Sequence, residues 1–257
     1  EEEQAAQKVI RSGWLTQGRE VENFEREFCH FLGLPDEQAV AVTSGTAALF
    51  MALWALNASK KRVAFPAYVC SSLRHAVAMA GGVEVLLDSS DDSPNLDLSQ
   101  LKQKKIDLAI IPHLYGLPLD LSSHKDLPII EDCAQAIGAK VSGALVGLQG
   151  KIGIFSFYAT KLMTSAGQGG MVVSKDRGLI DMIRDYREFD CRNDQKRRFN
   201  FQMTELQASI GLVQLRKLPD FLRRREEIFQ SYNSVLKMMD ISKKDKLNLE
   251  PIRYRAV

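Results

Sequence analysis

The chain of 257 residues has few cysteines, no long apolar run and almost no excess of charge of either sign. Its four cysteines include no CxxC pair, and Cys29, Cys70 and Cys133 have apolar neighbours. We therefore expect buried, reduced thiols in a cytoplasmic protein rather than a disulfide framework. The longest apolar run, residues 47–56, is shorter than the roughly 20 residues that span a bilayer. The first residues have neither a basic nor an apolar region, so no signal peptide is visible.

Charge gives little indication of a nucleic-acid partner. The chain has 34 basic and 32 acidic residues, which leaves a formal net charge of +2 and no global field. Two basic clusters occupy residues 196–198 and 223–225, and the second lies in a helical pattern over 219–238. A solvated helix face explains them better than a phosphate-binding surface, and no aromatic residues alternate with them. The four histidines show no metal-ligand spacing.

Short apolar, β-branched runs alternate with helical stretches along the chain, which predicts an α/β layered sheet. Runs that are apolar at every position, as in Leu108-Ala109-Ile110-Ile111, predict parallel strands covered on both faces. The predicted strands are 39–43, 62–65, 83–87, 108–113, 128–131, 153–157 and 171–174. The predicted helices are 21–31, 46–57, 71–80, 98–104 and 176–189. A polar stretch at 243–246 and an alternating segment at 248–255 indicate a large domain, 1–238, followed by the start of an incomplete second domain, 239–257.

Residues 43–46, with the sequence TSGT, separate the first predicted strand from an apolar helix. Free N–H groups in the first turn of such a helix can bind phosphate, and Gly45 lets the backbone approach a ligand. Taken alone, these residues are better explained by Ser44 or Thr46 acting as a simple helix cap. The chain has no Walker A loop and no GxGxxG fingerprint, which excludes those two nucleotide-binding motifs.

Three further segments with reactive side chains follow predicted strands, where open α/β sheets bind ligands. Glu131 and Asp132 end an apolar strand, where a carboxylate could hold a pyridinium nitrogen protonated or could cap the next turn. Lys161 follows an aromatic strand, where burial would favour a neutral, nucleophilic amine, although a solvent-exposed lysine is the alternative. The glycines of 167–170 form either a tight turn or a backbone that packs closely against a ligand.

The order and spacing of these segments resemble the DegT/DnrJ/EryC1/StrS family of pyridoxal-phosphate sugar aminotransferases. Matching segments run through most of the chain, and the set between Glu131 and Gly170 is specific in combination. These segments are SGWLTQG at 12–18, SGTAAL at 44–49, HLYG at 113–116, EDCAQAIGA at 131–139, FSFY at 155–158, GQGG at 167–170 and NFQMTELQA at 200–208.

The resemblance implies a three-layer fold of the aspartate-aminotransferase type, whose large domain has a mainly parallel seven-stranded sheet, with most of the C-terminal small domain missing. It implies that Lys161 forms an aldimine with pyridoxal 5′-phosphate and shuttles a proton. Asp132 would then pair with the pyridinium nitrogen, and Gln135 would bond the ring oxygen. The other cofactor ligands implied are Gly45, Thr46 and Ser156 on the phosphate and, in a homodimer with shared sites, Asn200 on the neighbouring subunit's phosphate.

The activity implied is transfer of an amino group, with L-glutamate as the expected donor, to a keto group of a nucleotide-linked deoxysugar. The sugar dehydratases of the family carry histidine where this chain has Lys161, which makes a dehydratase the weaker alternative. A non-catalytic or truncated regulatory protein with the same fold is the other alternative. Two positions depart from the family pattern. Cys70 stands where many members have an aromatic residue that stacks on the cofactor ring, with Tyr68 as another candidate, and Gln202 replaces a frequent arginine.

Overall fold

The main sheet has seven strands, as the sequence predicts. The computed structural model describes residues 1–102, 104–236 and 248–255. The strands lie in the order β1-β9-β8-β5-β4-β2-β3, and β9 alone runs against the other six. They are β1 (Ala39–Val42), β2 (Arg62–Pro66), β3 (Val83–Leu87), β4 (Leu108–Pro112), β5 (Ile129–Asp132), β8 (Ile152–Ser156) and β9 (Gly170–Val173). Each strand end lies within one residue of its predicted position, and the mainly parallel α/β sheet is confirmed.

Helices cover both faces of this sheet and make the fold three-layered. The α-helices in the described part of the chain are α1 (Glu2–Ser12), α2 (Arg19–Leu32), α3 (Gly45–Ala55), α4 (Ser72–Met79), α5 (Arg177–Arg187) and α6 (Glu205–Leu236). On one face α2 and α6 bury Phe24, Phe28 and Leu212 against Phe155 and Phe157 of the sheet and its following loop. On the other face the apolar helix α3 packs with α4 and α5 against β1, β8 and β9. Burial on both faces is why β4 is apolar at every position and β5 begins with two isoleucines.

Several elements differ from the sequence prediction. Helix α1 was not predicted, because it has few large apolar residues and buries Val9 alone. Helix α6 begins at Glu205 rather than at Pro219, and the proline lies within it. The helix predicted over 98–104 is a 3₁₀ helix, Leu98–Lys102. Residue 238, the predicted polar stretch 243–246 and the predicted domain boundary lie outside the described residues.

A second, smaller sheet lies beside the first one and includes the last described segment of the chain. It joins β6 (Lys140–Val141), β7 (Ala144–Leu145) and β10 (Leu249–Glu250) in the order β10-β6-β7, with antiparallel pairing. Beyond β10, Ile252 and Tyr254 are buried in the same core as α2 and α6. No helix in the described part of the chain combines the length and hydropathy of a membrane span.

Candidate active site

One cavity of about 300 Å³ lies at the carboxyl ends of β4, β5 and β8 and at the beginning of α3. A volume of this size is typical of small-molecule sites, and carboxyl ends of parallel strands are where open sheets bind ligands. All the residues predicted from the sequence to touch the cofactor within one subunit line this cavity. They are Gly45, Thr46, Asp132, Gln135, Ser156 and Lys161.

The beginning of α3 leaves unpaired backbone N–H groups in the cavity wall, a type of site that can bind an anion. Ser44 caps the helix, since its hydroxyl accepts a hydrogen bond of 3.1 Å from the N–H of Ala47. Within the described residues no group accepts from the N–H groups of Gly45 and Thr46, which open into the cavity together with the positive end of the helix dipole. Gly45 is required by packing, because a Cβ there would lie 2.7 Å from the Cβ of Ser156. A helix cap and a phosphate site are therefore compatible in this segment. Ser44 caps the helix, and the N–H groups of Gly45 and Thr46 remain free to bind a ligand.

The glycine-rich segment that leads into β9 allows close packing between the backbone of β9 and the backbone of the turn into α3. A Cβ on Gly170 would lie 2.4 Å from the carbonyl oxygen of Ser44, so only glycine lets β9 start beside the turn into α3. Gly169 and Gln168 line the cavity, and Gly167 has a φ of 91°, which favours glycine. Segment 167–170 is thus both a tight turn and part of the cavity wall.

The two acids that end β5 have opposite environments. Successive side chains of a strand point to opposite faces. Asp132 faces the cavity, and Glu131 faces the core of the protein. Burial raises the pKa of Asp132, and the N–H of Ala134, at 3.0 Å, and the charge of Lys161 only partly oppose this effect. Among the described residues, the N–H of Ala134 is the one hydrogen-bond donor to the carboxylate of Asp132. Asp132 is therefore a buried acid that lacks the partners an ionised carboxylate needs.

Glu131, in contrast, is fully satisfied inside the protein. Its carboxylate accepts hydrogen bonds from the N–H groups of Gly147, Gln149 and Gly150 and from Nε2 of His113 at 3.2 Å. Burial alone raises its pKa, but the bond from His113 and the N–H donors outweigh burial, and the pKa lies below the ordinary value. Nδ1 of His113 accepts from the N–H of Leu119, so Nε2 is the nitrogen that donates to Glu131.

These bonds also bear on the possibility of a metal site. His113, Glu131 and Cys133 form a buried group of atoms within 4.8 Å of one another. Both oxygens of Glu131 and both nitrogens of His113 already take part in hydrogen bonds of the protein. The group is therefore better described as a structural hydrogen-bond network than as a set of free ligands.

Lys161 lies in the loop between β8 and β9 and projects into the cavity. It is half-buried rather than buried as the sequence predicted, because Phe155 and Phe157 of the aromatic run point into the core on the other face. Within the described residues its amine forms no ion pair, and Asp132 acts on it at longer range. An amine and an acid thus share the cavity without neutralising each other directly. The ring of Tyr254, 5.5 Å from Nζ, was not predicted, since nothing in one sequence links positions so far apart.

The orientation of Gln135 follows from its hydrogen bonds. Its Oε1 accepts a bond of 2.8 Å from the N–H of Tyr115, so the Nε2 group is left to donate toward the cavity. Tyr115 has a φ of 57°, a left-handed backbone conformation that is uncommon for residues other than glycine. That strained conformation turns the Tyr115 N–H toward Gln135 and places an amide donor at the cavity wall.

Cys70 lines the cavity and is exposed, so the prediction that it is buried is wrong. The segment 67–70 leaves the sheet after β2 and turns toward the cavity before α4 begins. Tyr68, the alternative ring-stacking candidate, is not among the cavity residues, and its hydroxyl lies 2.5 Å from that of Tyr115. Cys191 is also exposed, whereas Cys29 and Cys133 are buried, and all four are free thiols.

Asn200 does not join the other predicted site residues. It lies exposed on the surface before α6, and its Oδ1 accepts a hydrogen bond from the N–H of Gln202. Its predicted contact is with a neighbouring subunit, so the position of Asn200 in a single chain leaves that prediction untested.

The cavity fits pyridoxal 5′-phosphate by its donors and acceptors. The free N–H groups at the start of α3 suit a phosphate. A buried carboxylate with one donor suits a protonated ring nitrogen. The Nε2 group of Gln135 suits a ring oxygen, and the amine of Lys161 lies in the same cavity as the acid. The residues that would hold the group are therefore present in one place.

Comparison with known proteins identifies the family. The model of the DegT/DnrJ/EryC1/StrS aminotransferase family matches residues 1–252. GDP-perosamine synthase of Escherichia coli O157:H7 is 30% identical over 95% of this chain and 71% of its own length. The erythromycin biosynthesis sensory transduction protein EryC1 of Saccharopolyspora erythraea is 35% identical over 91% of this chain and 67% of its own.

A solved structure agrees with this result. The aminotransferase TlmJ from Streptoalloteichus hindustanus is 30% identical and superposes with a TM-score of 0.87 over 93% of this chain and 69% of that one. The chain thus spans about two thirds of the length of the relatives it matches. The family match, the shared fold and the position of the predicted residues agree. The chain belongs to the DegT/DnrJ/EryC1/StrS aminotransferase family.

Proposed function

We propose that the protein is a pyridoxal-phosphate-dependent aminotransferase that aminates a keto group of a nucleotide-linked deoxysugar, with L-glutamate as the donor. The observation that carries the proposal is the placement of Lys161 and Asp132 in one cavity, beside the free N–H groups of α3 and without a direct ion pair between them. An amine, an acid and an anion site at the carboxyl ends of parallel strands are the three groups that this cofactor requires.

Six residues that line the cavity have a definite task in this proposal. When bound, the cofactor would supply an electron sink for a carbanion next to the substrate nitrogen. Asp132 would accept a hydrogen bond from the ring nitrogen and keep it protonated, and Gln135 would donate from Nε2 to the ring oxygen. The N–H groups of Gly45 and Thr46 and the hydroxyl of Ser156 would hold the phosphate. The amine of Lys161 would hold the cofactor, and its Nζ would take up and return the proton at the substrate carbon.

The substrate class rests on the relatives and on one residue. GDP-perosamine synthase is, by its name, an enzyme that makes a nucleotide-linked amino sugar. Within the family a lysine at position 161 favours amino transfer, because sugar dehydratases have histidine there. The sensory-transduction name of EryC1 keeps a regulatory role as the alternative that the experiment below must exclude.

We also propose a homodimer with shared sites, in which Asn200 reaches the phosphate held by the partner. The exposed position of Asn200, outside the cavity of its own chain, supports this arrangement. A cytoplasmic location agrees with four free thiols. The division into a cofactor-binding domain, 1–238, and the start of a second domain, 239–257, stays a prediction.

Absorption spectroscopy of the purified chain with added pyridoxal 5′-phosphate tests the proposal. We expect a visible band from the lysine-bound cofactor, which disappears in Lys161→Ala and persists in the matched control Lys151→Ala, an exposed lysine before β8. Addition of glutamate should convert the band to that of the amine form of the cofactor, and a nucleotide-linked keto sugar should restore it.

The outcomes separate the alternatives. A band that glutamate does not change would support a non-catalytic protein that binds the cofactor. A wild-type chain that shows no band in excess cofactor would refute the proposed function. A band that survives in Lys161→Ala would show that another amine forms the link.

A further inference from the structure

A second cavity lies beside the first, and no step of the proposed function uses it. It has a volume of about 500 Å³, and residues of helix α6 and of the last described segment, 248–255, form most of its wall. Leu162, which directly follows Lys161, also lines it, so neighbouring residues of one loop reach two different cavities. A volume of this size is typical of sites that bind small molecules. We call it the arginine cavity.

The wall of the arginine cavity is strongly basic. Two of its arginines lie on α6 and two on the last described segment, and among the described residues no carboxylate lines the cavity. The first cavity is different, since the described residues of its wall include Lys161 but no arginine. The four arginines of the second cavity are Arg224, Arg225, Arg253 and Arg255.

Two of these four arginines are balanced by an acid. Arg224 forms an ion pair of 3.0 Å with Glu227, and Arg253 forms one of 2.9 Å with Glu226. Neither glutamate is part of the cavity wall. Because a guanidinium group has five N–H donors, one carboxylate does not use all of them, and these two arginines can still donate to a ligand.

The other two arginines carry the excess charge. Arg225 donates a hydrogen bond of 2.9 Å to the carbonyl of Tyr254, which is a neutral acceptor. The guanidinium carbon of Arg255 lies 5.7 Å from the ring centroid of Tyr254. In the described part of the chain, neither guanidinium group has a carboxylate at ion-pair distance. Two positive charges of the wall thus lack a counter-ion, which suits a ligand with at least two negative charges.

Helix α6 also gives the cavity an exposed aromatic ring. Phe221, Ile228 and Tyr232 follow each other at intervals of seven and four residues, so they share one face of the helix. Tyr232 is 50% exposed, whereas Phe229 is buried under the guanidinium group of Arg253, which lies 3.7 Å from its ring centroid. An exposed tyrosine ring beside arginines can stack on the flat face of a nucleobase.

We propose that the arginine cavity binds a nucleoside diphosphate, with its phosphates on Arg225 and Arg255 and its base on the ring of Tyr232. The planar fork of an arginine matches two phosphate oxygens, and a diphosphate supplies the negative charges that the wall lacks. An acidic peptide would balance the charge but would leave the ring of Tyr232 without a stacking partner. A nucleic-acid strand requires a more extended basic surface, and the whole chain has a net charge of only +2.

This inference goes beyond the proposed function, because it involves neither the amine of Lys161 nor the cofactor. The ligand can be a free nucleoside diphosphate or the nucleotide part of a nucleotide-linked sugar, since both present the same phosphates and base. In either case it would lie beside the loop that carries Lys161 and Leu162.

Isothermal titration calorimetry of the full chain without cofactor tests the proposal with GDP, guanosine, inorganic pyrophosphate and GDP-mannose. Guanosine lacks the phosphates, pyrophosphate lacks the base, and GDP-mannose has a sugar on its terminal phosphate. The variants are Arg255→Gln, Tyr232→Leu and Tyr232→Phe, all at exposed positions. The matched control is Arg223→Gln, which removes the same charge from an exposed arginine of α6 that does not line the cavity. Circular dichroism verifies that each variant is folded.

We expect the wild-type chain to bind GDP with a Kd below about 1 mM, and guanosine and pyrophosphate at least about fivefold more weakly. Arg255→Gln should weaken the binding of both GDP and pyrophosphate by about tenfold, because a charged hydrogen bond is lost. Tyr232→Leu should weaken the binding of GDP by about fivefold and that of pyrophosphate by less than about twofold. Tyr232→Phe and Arg223→Gln should bind GDP within about twofold of wild type.

The probes also distinguish the two sources of the ligand. Equal affinity for GDP and GDP-mannose would support a site that accepts the nucleotide of a sugar substrate, and binding of GDP alone would support a site for free nucleotide. Absence of GDP binding would overturn the proposal. So would GDP binding that Arg255→Gln and Tyr232→Leu leave unchanged, or an equal loss in Arg223→Gln, which would indicate unspecific attraction by charge. None of these results changes the visible band of cofactor bound to Lys161, so failure here is distinguishable from failure of the proposed function.

Discussion

Replacement of Glu131 by glutamine tests the buried hydrogen-bond network beside the cavity. Oε1 of Glu131 accepts from the N–H groups of Gln149 and Gly150. Oε2 accepts from the N–H of Gly147, from His113 and, at 3.5 Å, from Nε2 of Gln149. An amide has one acceptor oxygen and one donor NH₂ group. Glutamine therefore cannot serve both sets of donors in either orientation.

The magnitude follows from counting donors. If the NH₂ group replaces Oε1, two backbone N–H groups lose their acceptor. If it replaces Oε2, the N–H of Gly147 loses its acceptor, and His113 cannot adapt, because its Nδ1 already accepts from Leu119. Each orphaned buried donor costs about 1–3 kcal/mol, so we expect a loss of about 2–6 kcal/mol. For a domain of this size that corresponds to a fall in Tm of roughly 5–20 °C.

The same carboxylate predicts a pH dependence. The pKa of Glu131 is lower in the folded chain than its ordinary value of 4.5, so between the two values the unfolded state binds more protons. The stabilisation is complete above about pH 4.5 and is lost as the pH falls through the lower, folded-state pKa. Glutamine does not titrate, so the gap in Tm between wild type and Glu131→Gln should narrow in acid.

Thermal unfolding followed by circular dichroism at neutral pH and in a series of acid buffers measures both effects. The matched control is Glu84→Gln, which removes one partner of the surface ion pair with Arg74 and should change stability by less than about 1 kcal/mol. A variant at position 131 that is as stable as this control, or a gap in Tm that is independent of pH, would refute the reasoning.

Two further substitutions should change the stability of the chain in opposite directions. Asp132→Asn should raise the Tm of the cofactor-free chain at neutral pH, because burial raises the pKa of Asp132 and ionisation then costs stability as the pH rises above about 3.8. The same variant should bind pyridoxal 5′-phosphate about tenfold or more weakly, because a charged hydrogen bond is lost. A cofactor titration measures this affinity. An unchanged Tm and an unchanged affinity would contradict the role given to Asp132. Gly170→Ala should lower stability by about 1–3 kcal/mol, because its Cβ would lie 2.4 Å from the carbonyl oxygen of Ser44. The control Gly178→Ala, whose Cβ would have its nearest contact at 3.3 Å, should not lower stability. Chemical denaturation compares the two variants, and equal unfolding midpoints would contradict the packing argument.

The strands were predictable because a strand that is buried on both faces appears in the sequence as a short run of apolar residues. In β4 every position is buried and apolar, and a four- or five-residue apolar run between turn signals has few other interpretations. The pattern fails for elements that bury little. Helix α1 is held by polar contacts of Glu2 with Gln214 and Lys217 on α6, and such contacts between distant segments leave no periodicity in the sequence.

Charge is harder to interpret than apolarity without a structure. The basic clusters were predicted to be solvated, and Arg223 and Arg224 are indeed exposed. Arg198 is not, because Asp185 and Asp194 pair with it and leave its side chain only 5% exposed. One sequence does not reveal which acids will come near a given arginine. The same lack of information explains why Tyr254 was missed and why Cys70 was expected to be buried.

The pair Glu131 and Asp132 shows how a fold can assign different tasks to identical chemistry. In the sequence they are two acids at the end of one strand, and nothing distinguishes a structural acid from one that serves a ligand. Strand alternation sends one to each face, and the surrounding backbone decides the rest. The turn at 147–150 gives Glu131 three N–H donors, whereas Asp132 receives one. An acid that the protein leaves short of partners costs stability in the free chain, and this cost is offset only when a cationic or protonated ligand completes its hydrogen bonds.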